Sequence, residues 1–165
     1  MAPAQTGCRE CGFDWDAPPA ELTDILRQIA RALPSRLGIA QQADTTAARP
    51  APGVWSRQEY LGHIGDVLVW YRGRIEGVLA EDRPVMVGLD WALETDRRRY
   101  DRQPPERLMS VAVASLRGLA EMLDGLNEGQ WARRGIGSEG QERTVLMLAR
   151  RAVHEAHHHL GDLGP

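Results

Sequence analysis

Apolar residues recur every three or four positions in four segments of the chain, which is the spacing of one face of an α-helix. The first helix is predicted to open at Pro18 and Pro19, and Pro34 is expected to disturb its end. The second is predicted to follow Ser56, because Ser56 and Glu59 match the sequence signature of a helix-capping box.

Long polar connections separate these helices, and no segment shows the sustained alternation that is typical of a strand. The pattern therefore predicts an all-α fold, a four-helix bundle with long connections. A chain of 165 residues is long enough for one domain with its own core. We expect a single domain over residues 1–165, with a Cys-x-x-Cys segment at about 1–17. The second helix is predicted to end near residue 80, the third to span about 105–125 and the fourth about 144–162. The predicted connections are 41–53, 81–103 and 127–141. The second of these is predicted to contain a short helix around 90–100.

Charge and composition narrow the functional classes. The net charge is −3 and there is no basic stripe, so a nucleic-acid partner is not expected. No apolar run is long enough to span a bilayer, and the first residues do not resemble a secretory signal. These features predict a cytoplasmic protein that has no membrane partner. A homodimer is the default expectation, since bundles with an exposed apolar edge commonly pair.

The end of the chain concentrates candidate ligands, with four of the five histidines in residues 154–159. At about 100° per residue, His159 falls about 40° and Glu155 about 80° from the centre of the apolar stripe of the last helix. On the same wheel His154 and His158 fall about 180° and 140° away. The wheel therefore predicts an inward pair, Glu155 and His159. It places His154, His157 and His158 toward solvent, with His158 as the reserve ligand.

His63 lies on or beside the apolar stripe of the second helix. An inward histidine there and an inward Glu/His pair on the last helix can meet inside a bundle. His63, Glu155 and His159 are accordingly predicted to bind a divalent metal. An ionised carboxylate in a core needs a cation or a proton. A purely structural cluster of the same three residues is the alternative.

Two further carboxylates stand three residues after predicted ligands, Asp66 after His63 and Asp162 after His159. Each is a candidate catalytic group that accepts a proton or orients its histidine. The alternative for both is a surface carboxylate near a helix end. Three protein ligands would leave room on the metal for a water or a thiol, whose pKa the metal would lower.

Cys8 and Cys11, in Cys-Arg-Glu-Cys-Gly-Phe, are the only cysteines. One Cys-x-x-Cys is half of a zinc site, and the sequence shows no second half. Three interpretations stay open for the pair: an inert or locally structural turn, a metal site or disulfide, and a redox or catalytic role.

Two motifs resemble the DinB-like superfamily, which includes the mycothiol-dependent maleylpyruvate isomerases. They are Trp-Ser-x-x-Glu-Tyr-x-x-His-x-x-Asp on the second helix and His-Glu-x-x-His-His-Leu-x-Asp at the end, and Cys-x-x-Cys-Gly-Phe resembles the start of many actinobacterial members. The resemblance implies a four-helix bundle that holds zinc or nickel through three side chains. They match His63 on the second helix and the pair Glu155 and His159 on the last.

The function that this resemblance implies is metal-dependent chemistry on a small molecule. Transfer of a low-molecular-weight thiol of the mycothiol type, isomerisation and hydrolysis are the expected reactions. The alternative is a non-catalytic bundle that binds a metal or a small molecule, as in resistance proteins.

Overall fold

The computed structural model describes residues 7–40 and 46–164, and most of them are helical. The short elements are a 3₁₀ turn at Tyr100–Arg102 and a hairpin of two strands, β1 (Arg134–Ile136) and β2 (Glu142–Thr144). The helices are α1 (Pro19–Ala40), α2 (Arg57–Ala80), α3 (Trp91–Arg98), α4 (Pro105–Asp124), α5 (Glu128–Ala132) and α6 (Val145–Asp162).

The four long helices form the predicted bundle, which confirms the fold class. α1 and α2 each pack against both α4 and α6. The order around the bundle is therefore α1, α4, α2, α6, and the consecutive helices α1 and α2 lie diagonally opposite. The steps from α1 to α2 and from α4 to α6 are both diagonal, and a diagonal step needs a long connection. Within the described chain, no helix combines the length and the apolar content needed to cross a membrane.

The start of α2 is held by a network of polar side chains. The Ser56 hydroxyl accepts a hydrogen bond from the Glu59 N–H at 3.1 Å, and the Glu59 carboxylate accepts one from the Ser56 N–H at 2.7 Å. Arg49 donates to both carboxylate oxygens of Glu59 at 2.7–3.0 Å. The predicted capping box is thus present, and it fixes the beginning of the helix that carries His63.

Pro34 lies inside α1, which continues to Ala40, where the connection predicted at 41–53 begins. A proline inside a helix leaves the carbonyl four residues before it without its helical hydrogen bond. Residues 127–141 are not all loop, since they contain α5 and most of the β1–β2 hairpin. Its strands of three residues are too short to show an alternating pattern.

The hairpin is attached to the segment that follows α2. The Ile136 N–H donates to the Pro84 carbonyl at 2.9 Å, and the Met86 N–H donates to the Ile136 carbonyl at 2.7 Å. Gly135 permits this approach, because a Cβ there would lie 2.8 Å from Cγ2 of Val78. The attachment brings the hairpin to the side of the bundle where α2 and α6 meet.

Candidate metal centre

The neighbouring helices α2 and α6 bring His63, Glu155 and His159 together inside the bundle. Glu155 and His159 lie one turn apart on α6. Nε2 of His63 is 3.5 Å and Nε2 of His159 is 3.6 Å from Oε2 of Glu155. One ligand atom from each residue lies within 4.8 Å of the other two. These three side chains, the Glu/His cluster below, therefore have the spacing that a shared cation requires.

His63 is the most buried member of the cluster, with 1% of its surface exposed. Both of its ring nitrogens are buried and have no hydrogen-bond partner among the described residues. The 3.5 Å separation from Glu155 is too long for a normal hydrogen bond. A buried polar nitrogen without a partner costs about 1–3 kcal/mol, so this arrangement calls for a ligand.

Asp162 contacts the imidazole of His159 on the side opposite Glu155. Nδ1 of His159 is 2.7 Å from Oδ2 of Asp162, which leaves Nε2 directed toward Glu155. A carboxylate that holds the outer nitrogen of a histidine is the usual support of a metal-binding imidazole. Asp162 therefore lies where the sequence placed it, beside His159.

The pKa values in the cluster depend on burial and on the attraction between its imidazoles and carboxylates. Burial lowers the pKa of His63 and favours its neutral form, which is the form that binds metals. Burial alone would also lower the pKa of His159, but Glu155 and Asp162 outweigh it and raise that pKa. Burial would raise the pKa of Glu155, but the two imidazoles hold it well below its usual range. The carboxylate is therefore ionised at neutral pH.

Aromatic rings enclose the cluster. The rings of Trp55 and Trp91 lie with their centroids 4.9 Å from that of His63, and Tyr60 lies 5.1 Å from His159. These rings pack against the imidazoles of the cluster.

Two cavities lie near the cluster. One of about 550 Å³ is lined by Trp55, Tyr60 and Asp162, which contact cluster residues, but by none of the three cluster residues themselves. A cavity of about 250 Å³ reaches Glu155. Its further lining includes Trp70, Trp91 and three arginines, Arg74, Arg143 and Arg151.

Arg74 and Arg143 were not predicted from the sequence to be site residues. Arg143 belongs to the hairpin, which no pattern in the sequence predicted. Arg74 had a usable signal: it follows His63 by eleven residues, which is about three helical turns, so both lie on one side of α2.

Asp66 does not join the cluster. Its carboxylate accepts a hydrogen bond from the Tyr100 hydroxyl at 2.6 Å and pairs with Arg98 at 3.0 Å. These contacts tie α2 to the end of α3 and to the 3₁₀ turn after it. Asp66 does not hydrogen-bond His63. The expected orientation of His63 by Asp66 is absent, and a proton-transfer role for Asp66 stays a prediction.

The remaining histidines of α6 are not turned to open solvent, contrary to the prediction from the wheel. His154, His157 and His158 are all partly buried. The ring of Trp15 lies 4.5 Å from that of His154, and Phe13 lies 6.0 Å from His157. The N-terminal segment covers this face of α6, and a helical wheel of one helix cannot reveal such a cover.

Known proteins share this architecture. The structure of YfiT from Bacillus subtilis, described as a probable metal-dependent hydrolase with an unusual four-helix bundle topology, aligns over 99% of this chain and 91% of that chain, with 16% identity and a TM-score of 0.73. The mycothiol-dependent maleylpyruvate isomerase aligns over 91% of this chain and 62% of that chain, with 17% identity and a TM-score of 0.71. At these identities the likeness shows the fold.

Sequence comparison identifies the family. No curated protein matches the chain with significant similarity. The model of the DinB superfamily matches residues 16–163, which include α1 to α6 and the whole Glu/His cluster. Since the match spans nearly the whole chain, the protein belongs to the DinB superfamily.

Proposed function

We propose that this protein is a divalent-metal-dependent enzyme that acts on a small anionic molecule, with His63, Glu155 and His159 as the metal ligands. The observation that carries the proposal is the buried imidazole of His63, whose nitrogens lack hydrogen-bond partners among the described residues while Nε2 faces an ionised carboxylate. A cation at this point would satisfy both groups. Imidazole and carboxylate ligands suit zinc, nickel and related divalent ions.

The cluster has the composition of a catalytic metal site rather than a closed structural one. Catalytic zinc sites use three protein ligands, and structural sites use four. A bound ion would supply Lewis-acid chemistry and would lower the pKa of a water or thiol nucleophile. The chain's own contribution is to fix the ligands: Asp162 orients His159, and the rings of Trp55 and Trp91 restrict the entry of water.

The cavity at Glu155 supports an anionic substrate. Three arginines line it, and Glu155 is the only acidic residue among its lining groups. In the described part of the chain, Arg143 and Arg151 form no ion pair with a carboxylate. Arg74 stacks on Trp70, with its guanidinium carbon 3.7 Å from the ring centroid. Guanidinium groups above an aromatic floor are suited to hold a carboxylate or phosphate next to the cluster.

Two reaction classes fit a nucleophile at this centre, hydrolysis and transfer of a low-molecular-weight thiol. The structural neighbours include a probable metal-dependent hydrolase and a mycothiol-dependent isomerase. In hydrolysis and in thiol transfer alike, the nucleophile loses a proton and bonds to an electrophilic carbon of a small molecule, the bond from that carbon to the leaving group breaks, and the leaving group takes up a proton. We propose this step for the protein, with water or a thiol as the nucleophile.

Metal analysis of tag-free protein tests the site. We expect His63→Ala, Glu155→Gln and His159→Ala each to bind one equivalent less of zinc or nickel per chain than the wild type. His157→Ala is the matched control, because His157 lies on the same helix but outside the Glu/His cluster. If the three variants retain the full metal content of the wild type, the proposed ligands are wrong.

Activity assays test the substrate and the reaction. The probes are an activated ester that carries a free carboxylate and its uncharged analogue, each with and without a low-molecular-weight thiol. We expect metal-dependent turnover that favours the charged ester, and loss of this preference in Arg143→Met and Arg151→Met. Acceleration by the thiol indicates thiol transfer, and equal rates indicate hydrolysis. Turnover that does not depend on the metal would refute the proposal.

A further inference from the structure

The N-terminal Cys-x-x-Cys forms a compact turn that presents both thiols to α6. The Gly12 N–H donates to the Cys8 carbonyl at 2.9 Å, and the Cys8 N–H donates to the Phe13 carbonyl at 2.8 Å. Gly12 has a φ of +73°, a left-handed conformation that glycine adopts without strain. The buried ring of Phe13 anchors the turn in the core.

Two histidines of α6 face these thiols. His154 and His158 are one turn apart, like Glu155 and His159, and the two pairs are shifted by one residue along the helix. Sγ of Cys8 lies 3.9 Å from Nδ1 of His158. One ligand atom from each of Cys8, Cys11, His154 and His158 lies within 4.8 Å of the other three. The second half of a zinc site, which the sequence did not show, is thus supplied by residues almost 150 positions away.

The separation of Cys8 and His158 is close to that of two ligands of one tetrahedral ion. Zinc bonds of about 2.3 Å to sulfur and about 2.0–2.1 Å to nitrogen give sulfur-to-nitrogen edges of about 3.6 Å. The observed 3.9 Å between Cys8 and His158 exceeds this edge by only a few tenths of an ångström. Side-chain torsions can close such a gap without moving the backbone.

The nitrogen atoms of the two histidines in this group also have surroundings that are typical of metal ligands. Nε2 of His154 is buried and has no hydrogen-bond partner among the described residues. Nε2 of His158, the nitrogen that points away from Cys8, lies 3.3 Å from Oε2 of Glu10. Glu10 belongs to the Cys-x-x-Cys itself. It stands where a supporting carboxylate stands in a carboxylate–histidine–zinc arrangement.

We propose that Cys8, Cys11, His154 and His158 bind a structural zinc ion, separate from the metal of the Glu/His cluster. Two thiolates and two imidazoles complete a tetrahedral shell with no open position, which is the composition of a structural and not a catalytic site. On binding, the two thiols lose their protons to solvent. The ion links the N-terminal segment to α6. This proposed zinc site does not depend on the function proposed for the Glu/His cluster.

The segment has an independent anchor, so the zinc ion reinforces a contact that already exists. Arg150 donates to the carbonyls of Asp16 at 2.8 Å and Ala17 at 3.0 Å. These bonds place the segment along α6. The ligands are therefore brought together before the metal binds, and the variants tested below should fold.

Cobalt substitution distinguishes the two centres, because only one contains sulfur. We expect metal-free, reduced, full-length protein without a histidine tag to bind two equivalents of Co²⁺. One of them should show the thiolate-to-cobalt charge-transfer absorption of a four-coordinate site. Cys8→Ser/Cys11→Ser should lose one equivalent and this absorption. His63→Ala should lose one equivalent and keep the absorption. His157→Ala should keep both.

Two further measurements do not depend on removing a ligand. Zinc bound by the wild type should be released in proportion to the thiols modified by p-hydroxymercuribenzoate. Glu10→Gln, a change in a mostly exposed side chain, should weaken binding at this site by about tenfold, the lower end of the range for supporting residues. A wild-type cobalt spectrum without thiolate charge transfer would overturn the proposal. So would thiols that stay fully reactive in the presence of zinc, or a double cysteine variant with the wild-type metal content.

Discussion

Gly62 lets the ring of Tyr100 lie directly against α2, next to His63. A Cβ at this position would be 2.3 Å from Cδ1 and 2.5 Å from Cγ of that ring. Ordinary carbon contacts are about 3.5–4.0 Å, so Gly62→Ala must displace the ring by more than about 1 Å. Tyr100 is 2% exposed and its hydroxyl donates to Asp66, so it cannot move without losing buried contacts.

The expected cost follows from opposing contributions to the free energy of unfolding. Overpacking of a core costs about 1–3 kcal/mol. Loss of the Tyr100–Asp66 hydrogen bond adds about 1 kcal/mol. Replacement of a helical glycine by alanine stabilises the helix by about 1 kcal/mol. The net prediction for Gly62→Ala is a destabilisation of about 1–3 kcal/mol, which for a chain of this size lowers Tm by roughly 2–12 °C.

Gly73 is the matched control on the same helix. A Cβ there would meet nothing within 4 Å, and the position is exposed. Gly73→Ala should therefore stabilise the protein by about 0.5–1 kcal/mol and raise Tm. Thermal unfolding followed by far-ultraviolet circular dichroism measures both changes. In a Tyr100→Ala background the penalty at Gly62 should disappear, and Gly62→Ala should then resemble Gly73→Ala. A Tm for Gly62→Ala at or above that of the wild type would refute this reasoning.

Two other consequences of the structure can be measured. In metal-free protein, His159 should titrate above its ordinary pKa of about 6.5 and His63 below it. The stability that His159 contributes is therefore complete below about pH 6.5 and is lost as the pH rises through its raised folded-state pKa. Asp162→Asn should lower the pKa of His159 in an NMR titration, and a reversed order of the two histidines would contradict the proposed environment. Arg49→Met leaves the carboxylate of Glu59 buried without its bidentate partner, and because Arg49 is itself partly exposed the expected loss is about 1–3 kcal/mol in urea denaturation. Adding Glu59→Gln should recover part of that loss, since the uncompensated charge is then removed.

The sequence by itself determined those features that depend on residues close together in the chain. The 3.6-residue period located the four long helices, and the Ser56–Glu59 pair marked the start of α2. The same period selected Glu155 and His159 over His154 and His158, because only the first pair falls toward the apolar stripe of the helix. It also placed His63 among the inward residues of α2, where the structure finds it buried.

Tertiary structure decided everything that joins distant segments. The diagonal placement of α1 and α2 and the attachment of the hairpin that brings Arg143 to the cavity depend on contacts between helices and loops far apart in sequence. The face of α6 that holds His154 and His158 is covered by residues that precede α1. A helical wheel divides one helix into core and solvent sides, but it holds no information about a cover contributed from the other end of the chain. The physical reason is that periodicity records which residues of one helix point the same way, whereas long-range packing determines what they meet there.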